Sequence, residues 1–265
     1  MARNDRPIVT LLSDFGSDDE YAAVMKGVVL SRCRDATVVD MTHAIPAGDV
    51  VRGALVLADA ARWFPIGSIH VAVVDPGVGT ERAPLLIDAG DRLYVGPDNG
   101  LLSLAARSNA RAYRLDKQEF FAKPVSATFH GRDVFASVAG HLAAGRNADD
   151  VGTPVPDCRR ISLPPARREG DTILGEVLYV DSFGNLITNI SARDMAEFGD
   201  RSEVEVGELQ VGRLQRTYAD AATGSLLALV GSTGRLEIAK ARGRAATALP
   251  AESAVGTPVR VRRAS

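Results

Sequence analysis

The chain has 265 residues, 46% hydrophobic and 24% charged, ordinary for a soluble globular protein with enough material for one large core or two. A net charge of -2 gives no basic footprint for nucleic acid, and Arg260, Arg262 and Arg263 read as a small solvated tail. Cys33 and Cys158 stand far apart in no metal-ligand spacing, and no apolar run suits a signal core or a membrane span, so the default compartment is the cytoplasm.

Ile8 to Leu12 is a short apolar run that reads as a buried strand, followed by the loop Ser13 to Asp19. Asp14 thereby stands at a strand's carboxyl end. Tyr21, Val24, Met25, Val28 and Val29 recur at helical spacing after acids that suit a helix start, which predicts a helix over 18–31. Asp14, Asp18 and Asp19 could be imagined as a magnesium site, but acids at a helix N-terminus explain Asp18 and Asp19 more simply. A strand over 37–41, a helix over 50–64 ending before Pro65, and a strand over 69–74 follow. This alternation predicts right-handed crossovers and a mainly parallel sheet.

The third strand stops at Asp75, where Pro76, Gly77 and Gly79 force a tight turn before Arg82. Ligands collect outside the carboxyl ends of strands in open α/β sheets, so Asp75 and Arg82 are a candidate site pair. The alternative is that Asp75 caps the turn and Arg82 is merely solvated. Strands over 85–88 and 92–95 come next, then a turn over 96–100 in which Asn99 reads as structural. Thr128 to Asp133 leads into an apolar helix over 134–142. His130 stands just before that helix, beside Gly131, which permits close approach to the backbone. Its loop-forming neighbours favour function over the role of a core histidine.

Prolines at 154, 156, 164 and 165 mark the stretch 149–171 as a linker and place a boundary near residue 165, between domains 1–165 and 166–265. Beyond it come short strands over 172–181, 186–190, 202–206, 209–211, 226–230, 235–239 and 257–261, the spacing of a small antiparallel barrel or sandwich. Asp181 to Asn185 and Gly231 to Gly234 are polar turns with binding potential, although each alone could be a hairpin connection. No P-loop, no G-x-G-x-x-G after the first strand and no G-x-S-x-G occurs.

Taken together, Ser13-Asp-Phe-Gly16, Asp75-Pro-Gly-Val-Gly-Thr80, Gly96-Pro-Asp-Asn-Gly100, Phe129-His-Gly-Arg-Asp133, Asp181-Ser-Phe-Gly-Asn185 and Gly231-Ser-Thr-Gly234 run in one order. The chain resembles the S-adenosyl-L-methionine (SAM) hydroxide adenosyltransferases, or SAM hydrolases, which are related to fluorinase and chlorinase. The resemblance spans about Ile8 to Val261. It implies an N-terminal α/β domain with a mainly parallel sheet, a small antiparallel C-terminal β-barrel, and a homotrimer with active sites between subunits. It implies SAM as substrate, adenosine and L-methionine as products, and neither metal nor redox cofactor. The family's catalytic triad maps onto Asp75, Arg82 and His130. The halogenating relatives are expected to carry tyrosine in place of Asp75 and His130, so the match favours water over halide.

The same resemblance maps Asp14 onto the acid that holds both ribose hydroxyls. Phe129, Gly131 and Phe183 fall near the sugar and base, Asn185 on an adenine contact, and Asp181 on the methionine ammonium. Ser232 and Thr233 fall at the methionine carboxylate, with Thr233 standing where the halogenases have arginine. Ala241 and Arg244 replace asparagine of many relatives. The chemistry fits, because SAM is a sulfonium whose leaving group departs neutral, so the nucleophile is the difficulty. Asp75 and His130 are expected to hold and polarise a water, with Arg82 orienting Asp75. The alternatives are a SAM- or adenosine-binding module with negligible turnover, and a halide-using adenosyltransferase.

Overall fold

The computed structural model describes residues 6–106, 109–198, 202–250 and 254–263, so the lead-in over residues 1–5 lies outside the described residues. The chain divides into two compact units, Met1–Ile161 and Ser162–Ser265.

In the first unit, strands β1 (Ile8–Ser13), β2 (Thr37–Thr42), β3 (Ile69–Val73), β4 (Pro84–Asp88), β5 (Leu93–Pro97), β6 (Arg111–Arg114) and β7 (Thr153–Val155) form one sheet in the order β2-β1-β3-β5-β4-β6-β7. The β2-β1-β3-β5 half is parallel, as the strand and helix alternation predicts, and antiparallel pairs extend it to β7. Period-two alternation divides β3 between two cores. Val71 and Val73 join Val9, Leu11, Met25, Val29 and Phe135 on one face, whereas Ala72 and Val74 join Leu12, Ala54, Leu57 and Leu101 on the other. Each of the valine, leucine, methionine and phenylalanine side chains among them contributes about 1.5–3 kcal/mol by leaving water. With both faces covered, the open edge of the parallel half is the row of strand ends.

Helix α1 (Tyr21–Arg32) begins later than predicted, with Glu20 as its N-cap and Asp18 and Asp19 in exposed bends before it. The chain must first turn at Gly16, whose backbone N–H donates to the His43 carbonyl at 2.8 Å, so no helix can start there. Helix α2 (Val50–Ala61) stops short of Phe64 because Trp63 and Phe64 turn toward Pro65, which disfavours helical backbone before it. Phe64 then meets His70 edge to face at 5.7 Å. His70 is a core histidine: fully buried, bonded to Thr10 Oγ1 at 2.8 Å, and held neutral by burial and then Arg92, which pull its pKa down to about 4. The proline-rich stretch is not wholly a linker, since Thr153–Val155 pairs with β6. Pro154 is tolerated there because an edge strand has one side without a neighbour.

The second unit carries β8 (Arg167–Glu169), β9 (Thr172–Val180), β10 (Leu186–Ser191), β11 (Ser202–Val206), β12 (Leu209–Arg213), β13 (Leu226–Val230), β14 (Arg235–Lys240) and β15 (Pro258–Arg263). They pair antiparallel in the order β12-β11-β15-β9-β10-β14-β13, with β8 on β9. A bridge between Leu214 and Ala228 brings the two ends of that order together, curling the sheet into a nearly closed barrel. Ile173, Val177, Leu186, Ile238, Val259 and Val261 fill it.

Candidate active site

The turn after β3 folds Arg82 back onto Asp75. Val78 N donates to Asp75 O at 3.2 Å and Thr80 Oγ1 to Gly77 O at 2.7 Å, closing successive turns. Gly79 has φ +78°, and a Cβ there would stand 2.7 Å from the Ala127 carbonyl, so only glycine permits this path. Arg82 Nε donates to Asp75 Oδ1 at 2.9 Å and Oδ2 at 3.0 Å, and Nη2 also donates to Oδ2. Both side chains are buried, at 6% and 5% exposure, so the pair is shielded from solvent screening. The guanidinium lies 5.3 Å over the Phe135 ring, and among the described residues its buried Nη1 has no hydrogen-bond partner.

His130 joins this pair from another element. It is the N-cap of a π-helical turn, Gly131–Ala136, that continues into α3 (Ser137–Ala143). Such wide turns occur frequently at functional sites. Arg82 Nη2 lies 2.9 Å from His130 Nδ1. A guanidinium has only donors, so Nδ1 accepts, the imidazole is neutral, and its hydrogen sits on Nε2. Burial first, then the charge of Arg82, lowers the His130 pKa from 6.5, against the opposing charges of Asp75 and Asp133. Asp133 anchors the loop before His130 by accepting from Ser126 N at 2.8 Å and from Arg132 Nε at 2.6 Å. Gly131 packs closely under the aromatic side chains: a Cβ would meet Phe129, Met25 and Phe15 side-chain atoms at 3.3 to 3.4 Å, a tight fit that those side chains would have to yield to.

Asp14, Phe15, Gly48, Asp75, Phe129 and His130 line a cavity of about 270 Å³ at these strand ends. Phe15, Tyr21 and Phe129 form an aromatic cluster with ring centroids 5.2 to 5.8 Å apart. Asp14 Oδ2 accepts from Gly48 N at 2.8 Å. A larger cavity of about 330 Å³, lined by residues including Tyr113, Asp149 and Cys158, shows no comparable acid, guanidinium and imidazole cluster. The Cys158 thiol is pushed up by burial, which disfavours the reactive thiolate. The smaller cavity is therefore the candidate. Sequence reading missed Gly48, although Pro46-Ala-Gly-Asp49 before α2 is a turn signal. It assigned Tyr21 to a helix's periodic face, yet Tyr21 is 43% exposed beside Phe129.

Asp181, Phe183, Asn185, Ser232 and Thr233 belong to the second unit. Asp181 Oδ1 accepts from Asn185 N at 2.8 Å and Oδ2 from Asn185 Nδ2 at 3.1 Å, so this pair holds its own turn. Phe183 is 75% exposed at the tip, and Asn185 is buried. Ser232 and Thr233 cap the turn between β13 and β14, closed by Gly234 N donating to Gly231 O at 2.9 Å. Glu237, read only as part of a strand, is a buried acid. It accepts from Tyr218 Oη at 2.6 Å, and its pKa is raised, chiefly by burial. Among the described residues, no group of three or more His, Cys, Asp or Glu converges as metal ligands, and no helix is long and apolar enough to cross a membrane.

Comparison with known proteins bears on both units. Residues 9–152 match the SAM hydroxide adenosyltransferase N-terminal domain, and residues 175–259 match its C-terminal domain. The chain belongs to the SAM hydroxide adenosyltransferase family. It is 42% identical to the (R)-S-adenosyl-L-methionine hydrolase of Thermus thermophilus, over 97% of this chain and 99% of that one. A fluorinase of an Actinoplanes species is 29% identical over the full length of both chains. The crystal structure of an uncharacterized conserved protein from Thermotoga maritima superimposes with a TM-score of 0.87 at 31% identity, covering 96% of this chain and 100% of that one. In the barrel unit Arg244 donates from Nη1 to Ser182 O at 2.9 Å, while Ala241 is buried. Arg244 thus braces the Asp181 turn.

Proposed function

We propose that the protein hydrolyses SAM to adenosine and L-methionine. Water oxygen bonds to C5′ as the C5′–S bond breaks. The bonding pair leaves on the methionine sulfur, and the water's proton passes to Asp75. The observation that carries this reading is the contact of Asp75, Arg82 and His130 at a cavity also lined by Asp14. Bulk water has a pKa of about 15.7 and is a poor nucleophile unless positioned beside a base. His130 cannot take the proton at Nε2, which already carries hydrogen, and its Nδ1 is occupied by Arg82. It therefore acts as a hydrogen-bond donor to the water, leaving Asp75 as the acceptor. The buried Arg82 Nη1 is a further donor that meets no acceptor among the described residues.

The deciding experiment is SAM turnover in ¹⁸O-labelled water with mass spectrometry of the nucleoside. Labelled adenosine is expected over many turnovers. Bound, unreacted SAM would leave only a binding module, and a 5′-halogenated nucleoside in chloride or fluoride would indicate halide transfer. The neutral His130 also predicts a pH profile. The triad needs Nδ1 unprotonated, and the lowered pKa keeps it so somewhat below pH 6.5. Turnover at low SAM is expected to hold down to that region and then fall on the order of tenfold per pH unit. The unfolded chain takes up this proton first, so the native state also loses stability as pH falls through the folded pKa. An acid limb centred above pH 6.5 would contradict this state of His130.

Asp14 is assigned to the ribose diol, because one carboxylate can accept from two adjacent hydroxyls and Gly48 N already fixes its orientation. Asp14→Ala is expected to weaken both adenosine and SAM by roughly 10- to 100-fold in calorimetry. Unchanged adenosine affinity would remove Asp14 from that role. Phe129 and Gly131 are assigned to the sugar side, and Phe183 and Asn185 to the base. Asp181 is assigned to the methionine ammonium, and Ser232 and Thr233 to its carboxylate. We further propose a homotrimer in which the first unit of one subunit and the barrel of a neighbour complete each site. The cytoplasm is the proposed compartment, consistent with both cysteines being unpaired.

A further inference from the structure

Behind the Asp14 loop runs a chain of side chains that the reaction itself does not use. Ser13, fully buried at the end of β1, places its Oγ 2.7 Å from His43 Nδ1. His43 Nε2 lies 3.0 Å from Asp40 Oδ1, and Lys26 Nζ on α1 donates to Asp40 Oδ2 at 2.5 Å. The hydrogens can be followed from one end. A carboxylate only accepts, so His43 carries hydrogen on Nε2, and in that tautomer Nδ1 accepts from the Ser13 hydroxyl. The Ser13 oxygen in turn accepts from Phe15 N at 3.3 Å. The backbone makes a second tie at the same place, because Gly16 N donates to His43 O at 2.8 Å and Ile45 N to Ser13 O at 3.4 Å.

Asp14 and Phe15 are thus held on both sides of their loop by groups that converge on His43. The His43 side chain is only 10% exposed, whereas Asp40 is 39% and Lys26 35% exposed, so the chain runs from the surface of β2 and α1 to the floor of the loop. Burial pushes the Asp40 carboxyl up, and hydrogen bonds from Lys26 and His43 more than offset it, leaving it below its ordinary value. The acceptor end of the chain therefore stays charged at neutral pH.

We infer that His43 is a positioning residue for nucleoside binding: with Ser13 and Asp40 it fixes the loop that presents Asp14 and Phe15, without itself touching substrate. This rests on the assignment of Asp14 to the ribose. A group acting this way changes the affinity for the nucleoside and leaves the chemical step to Asp75, Arg82 and His130. Loss of one such bond is worth about tenfold in affinity.

The test uses the full-length protein. For His43→Ala, the KM for SAM and the dissociation constant for adenosine are both expected to rise about tenfold, with kcat at saturating SAM retained within about threefold. His43→Asn, which keeps an acceptor near the Nδ1 position, should restore most of the lost adenosine affinity. Asp40→Ala, at a half-exposed position that tolerates truncation, should weaken adenosine binding in the same direction even if His43→Ala does not fold. Unchanged adenosine affinity in both alanine variants would overturn the inference, as would a fall in kcat with KM unmoved. Failure of the wild type to release adenosine from SAM would instead count against the hydrolase reading, while the adenosine titrations would still judge His43. Absence of adenosine binding by the wild type would overturn both.

Discussion

Replacing Asp75 with alanine is expected to lower kcat by roughly 100- to 10,000-fold, the range that general-base assistance supplies, while SAM affinity changes by no more than a few-fold. The expectation follows from where the charge sits. Asp75 receives both Nε and Nη2 of a buried Arg82, and that same Nη2 supplies the donor that fixes His130 as a neutral imidazole. Removing the carboxylate leaves water without a proton acceptor. Removing the imidazole costs only a donor, so His130→Ala should be the milder of the two. Asp75→Asn separates charge from shape: it keeps a group of the same size beside Arg82 but cannot take the proton, and it should be nearly as slow as Asp75→Ala. Stopped assays with direct SAM titration would read both quantities. Turnover retained in Asp75→Ala, or a loss confined to KM, would move the base elsewhere.

The positions of Asp14, Asp75 and His130 were legible because each depends on a local signal. Two acids follow apolar runs that must be strands, and glycines beside Asp75 and His130 mark where the backbone turns. The period-two division of β3 between two cores is equally a property of adjacent residues. What was not legible depends on partners far along the chain. The tautomer of His130 is set by Arg82, and the orientation of Asp14 by the Gly48 amide. His43 gave no signal at all, since its meaning comes from Ser13, Lys26 and Asp40 on three different elements. The end of α2 was misjudged because Trp63 and Phe64 are apolar enough to continue the helical pattern. There the restriction imposed by Pro65 prevailed over propensity. Composition likewise hid β7: prolines read as a linker, yet an edge strand can accept one.

Mixing two inactive variants should restore activity if each site is shared between subunits. Asp75→Ala disables the first unit's contribution, and Asp181→Ala disables the barrel's contribution at low SAM. Each fails alone when all subunits carry the same lesion. In trimers assembled at random from equal amounts of both, a site is intact when an unaltered Asp75 unit meets an unaltered barrel from its neighbour. That occurs at about a quarter of the sites in a closed ring of three. Activity at about a quarter of wild type after co-refolding or co-expression, against almost none for either variant alone, is the expected result. Sites built within single chains would give no gain, because every chain would carry one lesion. A monomeric mass by light scattering would exclude the shared site before any mixing. A shared site would also keep the reaction clean: a second subunit that completed the cavity would exclude bulk water from the sulfonium, so that the one water held by Asp75 and His130 would be the one that attacks.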